Sequence, residues 1–154
     1  MDLRKPFFDI ILEMAKGDKD IIVLVGDLGF SFKEQFEREL PKQIINCGAA
    51  EQNMVGVASG LALAGKKPYC YSGAIFMVMR PYEFVRDDVA YNNLDVKLVG
   101  TGASGFLGFT HNLLGTENEE DLLKNIPNLQ RFYPKDEKEL KVALKSIGPA
   151  YIRI

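Results

Sequence analysis

The stretch "IINCGAAEQNMVGVASGLALAGKKPY", residues 44–69, decides how the rest of the chain is read. It runs from an apolar segment through Gly48 into a helical pattern built of small residues, then into a second apolar segment at Pro68. Strand, sharp turn, helix and strand in that order form a βαβ crossover, which joins parallel strands. One feature breaks the apolar pattern: Glu51, Gln52 and Asn53 stand together where the helix begins.

The same alternation extends in both directions. Apolar runs suited to strands occur at 21–26, 43–47, 68–72, 96–101, 129–134 and 150–154, and helical patterns fall at 7–16, 33–40, 50–64, 80–91, 117–125 and 137–146. The expected fold is therefore α/β, a three-layer doubly wound and mostly parallel six-stranded sheet with helices on both faces. No internal repeat or linker divides the sequence, so residues 1–154 are expected to form a single domain. In an open sheet of this kind ligands sit beyond the carboxyl ends of the strands. The segments to inspect are then "DLGFSF", "GAAEQN", "GAIFMVM" and "GASGFLGFTHN".

Composition excludes several classes. A chain of 154 residues with 47% hydrophobic and 26% charged residues can bury a sizeable core and is not disordered. A formal net charge of −2 without a basic cluster argues against nucleic-acid binding. Cys47 and Cys70 have no metal or redox spacing and read as reduced, buried thiols. The first apolar run is interrupted by Asp9 and Glu13, too short for a leader or a membrane span, so a cytoplasmic protein with no membrane partner is expected.

Position alone gives Glu51 a plain explanation, because an acid in the first turn of a helix is favoured by about 0.3–1 kcal/mol. The helix after it needs another. Gly56, Ala58, Ser59, Gly60, Ala62 and Ala64 leave it small on nearly every side, although each interior glycine costs about 1 kcal/mol. Such a helix is expected to have something packed very close to it, a neighbouring helix or a second subunit, and a homodimeric contact through residues 50–64 is expected.

The segment "GAAEQNMVGVASGLALAGKKPY" closely resembles the pyrimidine-binding domain of transketolase-like thiamine diphosphate enzymes, in the C-terminal subunit of split transketolases. "VLVGDLG" at 23–29, "VRDDVAYNNLDVKLVG" at 85–100, "THN" at 110–112, "IPNLQRFYP" at 126–134 and "GPAYIRI" at 148–154 follow in that family's order. The resemblance implies thiamine diphosphate as cofactor, bound here by its pyrimidine end, and a transketolase-like transfer of a two-carbon ketol or acyl unit. It implies that Glu51 contacts N1' of the aminopyrimidine, where a carboxyl group assists proton removal from C2 of the thiazolium. Phe76 matches the ring that stacks on the pyrimidine, Gly48 and Gln52 fall beside Glu51 in the cofactor-binding segment, and His111 matches a catalytic histidine lining the substrate channel.

The resemblance also marks what this sequence lacks. The family holds the diphosphate and its magnesium ion with a Gly-Asp-Gly motif followed by asparagines. "GDLG" at 26–29 and Asn92 with Asn93 do not reproduce that motif or its spacing. No metal ligands are expected in this chain, and Mg2+ and the diphosphate are expected on a separate diphosphate-binding subunit, without which the chain should be inactive. Whether the chain is a natural split subunit or an excised domain is left open. Leu107, Gly102 and Tyr133 stand where transketolases place polar readers of a sugar phosphate, with Arg131 two residues away from one of them, so a less hydroxylated or unphosphorylated substrate is expected. A non-catalytic partner that only stabilises or regulates such an enzyme remains the alternative reading, and retention of Glu51 disfavours it.

Overall fold

The computed structural model describes residues 2–102 and 119–154. Its elements follow the expected alternation: α1 (Arg4–Gly17), β1 (Ile21–Val25), α2 (Glu34–Glu39), β2 (Ile44–Asn46), α3 (Glu51–Leu63), β3 (Lys67–Gly73), α4 (Ala74–Met79), α5 (Tyr82–Phe84), a π-helical turn (Val85–Tyr91), β4 (Lys97–Thr101), α6 (Glu119–Leu123), β5 (Gln130–Phe132), α7 (Glu137–Leu144) and β6 (Ala150–Arg153). The strands form one six-stranded sheet in the order β2-β1-β3-β4-β6-β5, with every pair parallel. The expected "mostly parallel" sheet is thus parallel throughout.

Strand side chains alternate between the two faces, and each face has its own core. Ile21, Val23, Val25, Tyr69, Tyr71, Val99 and Ile152 point towards α1, α2 and α7, where Phe7, Phe8, Ile11, Phe36 and Leu140 meet them. Ile22, Leu24, Cys70, Leu98 and Tyr151 point the other way, onto Met54, Val55 and Ala58 of α3, Met77 and Val78 of α4, and Val85 and Val89 of the π turn. Burial on both faces explains why β1 is an unbroken apolar run rather than an alternating one. β2, at the sheet edge, is less buried.

Two local features differ from the expectation. The run "GAIFMVM" holds a helix of its own, α4, which starts directly after β3. The helix expected over 80–91 is divided: Pro81 has no N–H to continue α4, and a short α5 widens into the π turn. The close neighbour expected for α3 is in part supplied within the chain, since a Cβ on Gly56 would stand 3.4 Å from the Phe84 ring. Gly60, one turn on, has nothing within 4 Å of the same position. Among the described residues no helix is long and apolar enough to cross a membrane.

Candidate cofactor site

β1 leads to β2 on one side of it, while β3 pairs on its other side, so the strand order reverses between β1 and β3. A crevice opens at the carboxyl ends of strands that part in this way. Three segments converge there: Gly26 after β1, the start of α3 after β2, and Ser72 near the end of β3.

The turn into α3 is built locally. Gly48 has φ +70°, a left-handed conformation that glycine adopts without strain, and a Cβ there would meet nothing within 4 Å. Its N–H donates to Asn46 Oδ1 at 3.0 Å, and the Asn46 amide donates to Asp27 Oδ1 at 3.1 Å, tying the β2 exit to the β1 exit. Ala50 gives α3 no side-chain cap, so its first turn begins with Glu51.

Glu51 is 1% exposed. Ser72 Oγ donates to its Oε1 at 2.6 Å, and Arg80 Nη1, just past α4, donates to its Oε2 at 2.7 Å. A buried carboxylate is costly unless paired and hydrogen-bonded, and here each oxygen has a donor. The space around it is tight. A Cβ on Gly26 would stand 2.8 Å from Ser72 Oγ and 3.1 Å from Glu51 Oε1, so only glycine lets β1 come this close.

The Arg80 guanidinium that meets Glu51 also lies over the Phe76 ring, with Cζ 3.8 Å from the ring centroid. Phe76 is half-buried on α4. One flat, nitrogen-bearing group therefore stacks on Phe76 and donates to Glu51 at the same time. An aminopyrimidine is also flat, and a proton shared between its N1' and the Glu51 carboxyl would join the two while its face lies on Phe76, so this pair of residues fits one.

Of the residues singled out from sequence, Glu51 and Phe76 are brought together through Arg80. Gln52 is exposed on the first turn of α3 and is not drawn into this cluster, and Gly48 shapes the turn rather than lining the slot. His111 and Leu107 lie outside the described residues. Ser72, Arg80 and Gly26 were not singled out. The only cue for Arg80 was its position four residues after Phe76, which places both on one side of a helix.

Gly73, at the end of β3, helps line a cavity of about 200 Å³ together with Leu28, Phe30, Tyr71 and Thr101. Further along the sheet edge, Arg131 Nε donates to Glu120 Oε1 at 2.9 Å and Tyr133 Oη to Glu120 Oε2 at 2.7 Å. Among the described residues no group of acidic, histidine and cysteine side chains could hold a metal ion. A wider hollow of about 430 Å³ lies away from Glu51, against α7, lined by Phe132, Tyr133 and Val142 among others.

Residues 1–148 match the family model "Transketolase, pyrimidine binding domain". An apulose-4-phosphate transketolase subunit of Phocaeicola vulgatus is 36% identical over 98% of this chain and 50% of its own length. The 6-deoxy-6-sulfo-D-fructose transketolase subunit SqwH of a Clostridium species is 36% identical over 99% of this chain and 49% of its own. A solved split-gene transketolase, described as an inactive β4 tetramer, superposes with a TM-score of 0.85 at 32% identity, covering 99% of this chain and 51% of that one. The chain spans about half the length of the curated relatives it matches. The resemblance read from the sequence and the fold expected from it are both borne out: this chain belongs to the transketolase pyrimidine-binding domain family.

Proposed function

We propose that this chain supplies the pyrimidine half of a thiamine diphosphate site in a two-component, transketolase-like transferase. The observation that carries the reading is the slot between Glu51 and Phe76, where a flat nitrogenous group already stacks on the ring and donates to a buried carboxylate. Glu51 would hold or move a proton at N1' of the cofactor, and Phe76 would fix the plane of its pyrimidine. Thiamine diphosphate, when bound, supplies the carbon nucleophile that carries the two-carbon unit. Ser72 keeps the carboxyl oriented through its 2.6 Å hydrogen bond. His111 is assigned to the substrate channel on its motif, with hydrogen bonding or proton relay as its role.

A separate diphosphate-binding subunit would hold the diphosphate and Mg2+, and α3, with Gly60 open and Val57 and Leu63 exposed, would face a second copy of the chain or that subunit. The relative described as an inactive tetramer of β chains supports dependence on a partner. A cytoplasmic location accords with this reading. Arg131 is engaged by Glu120, which supports a site that does not read a sugar phosphate there. The names of the two relatives contain a phosphate and a sulfo sugar, so an anionic sugar is the competing substrate class.

Titrating thiamine diphosphate and Mg2+ against the chain, with and without a Gly-Asp-Gly subunit, tests the assignment. Tight binding is expected only with both components. Equal binding by the chain alone, or none by the pair, would contradict it.

A further inference from the structure

Arg80 has no part in the family-based reading of the site, yet it occupies the space that reading needs. Its guanidinium rests on Phe76 at 3.8 Å from the centroid and ion-pairs with Glu51 at 2.7 Å. The side chain is 41% exposed, whereas Glu51 is 1% exposed, so the arginine reaches inward from the surface onto a fixed carboxylate. It has room to swing back into solvent. Glu51 does not, because Ser72 and Gly26 close around its other oxygen.

We propose that Arg80 is a positioning residue that occupies the pyrimidine slot, satisfying Glu51 and covering Phe76 until the aminopyrimidine of the cofactor displaces it. This rests on the cofactor assignment above. The arginine cannot share the face of Phe76 with a stacked ring or keep the same bond to Oε2 while a ring nitrogen takes it. Two consequences follow. Without ligand, the buried carboxylate is held as one half of a pair rather than left as a solitary charge. With ligand, apparent affinity is lowered by the fraction of chains in which the slot is already filled.

The test uses the 154-residue chain and the pyrimidine fragment of thiamine, 4-amino-5-hydroxymethyl-2-methylpyrimidine, which needs no diphosphate site. Binding is followed by NMR through the Phe76 ring and Arg80 Nε–H signals. In the wild-type chain the fragment should shift both, with Arg80 losing its ring-current displacement at saturation. Arg80→Gln should bind the fragment more tightly, by about 3-fold to 30-fold, the scale of one cation–π contact. A purely structural arginine would give the opposite, since removing it would loosen the site and weaken binding. Arg80→Lys keeps the charge without the flat cover and gives the same comparison if the glutamine variant does not fold. Binding that moves Phe76 but leaves Arg80 in place, or variants that bind equally or less well, would overturn this inference and leave the cofactor assignment standing. Failure of the fragment to move Phe76 in any variant would overturn both.

Discussion

Alanine at position 26 probes the packing on which the Glu51 carboxylate depends. Its Cβ would stand 2.8 Å from Ser72 Oγ, 3.1 Å from Glu51 Oε1 and 3.2 Å from Ser72 Cβ. The first distance forces a shift, and overpacking of this kind costs about 1–3 kcal/mol. The atom that must give way is the donor of the 2.6 Å bond to Glu51, so the same methyl group also strains a buried, charge-assisted hydrogen bond. Ser72→Ala alone removes that donor and should cost about 1–3 kcal/mol, because it leaves a carboxylate oxygen short of a partner. In the double variant the hydroxyl is already absent, the 2.8 Å clash is gone, and the new methyl meets only Glu51 Oε1 at 3.1 Å and the Cβ at position 72 at 3.2 Å. The combined loss should fall short of the sum of the two by about 1 kcal/mol, within the range seen for touching residues. Urea midpoints at unchanged m-value provide the four corners of this cycle. Additivity within about 0.5 kcal/mol would refute the idea that Gly26, Ser72 and Glu51 share one tightly packed space.

Other outcomes follow from the same packing. Burial pushes the thiol of Cys70 and the hydroxyls of Tyr69 and Tyr151 up, so these stay protonated in the folded chain at a pH where the unfolded chain has released its protons, from about 8.5 for cysteine and 10 for tyrosine. The unfolded state then binds fewer protons and stability should fall as pH rises above about 8.5, with the buried Lys97, held low by desolvation, opposing this in part. Urea melts between about pH 8 and 11 check the sign, and rising stability would contradict it. Iodoacetamide should leave buried Cys70 unmodified in the native chain and label it in denaturant, with half-buried Cys47 reacting slowly. Native labelling of Cys70 would count against the packing around β3. Gly60→Leu should leave the fold intact, since nothing lies within 4 Å of the added Cβ, but break assembly through α3. Sedimentation showing unchanged mass in the presence of the partner would remove α3 from the interface.

The central strands were legible because both faces of the sheet are covered there, which turns a strand such as Ile21–Val25 into an unbroken apolar run. Glu51 was legible for a similar local reason: an acid among small residues stands out. α4 was not. It lies between β4 on one side and α5 and α6 on the other, so Ala74, Met77 and Val78 are buried and the run shows no amphipathic period. The pairing of Arg80 with Glu51 spans 29 positions and joins the start of one helix to the end of another. No spacing rule in the sequence reports such a contact, because it depends on where the β1–β3 crevice brings the two helices. The same holds for Gly26, whose need for glycine comes from Ser72 and Glu51 rather than from a turn of its own.

Hydrogen-deuterium exchange at C2 of thiamine diphosphate, in the complex of this chain with a diphosphate-binding subunit, tests the role of Glu51 most directly. Glu51→Gln is nearly isosteric, and Arg80, 41% exposed, can remain hydrated beside it, so folding and assembly should be little changed. Exchange should slow by roughly 10²-fold to 10⁴-fold, the usual scale of general acid–base catalysis. A variant that melts as the wild type does and exchanges C2 at the wild-type rate would contradict the account, leaving Glu51 a helix-start acid held by Ser72 and Arg80.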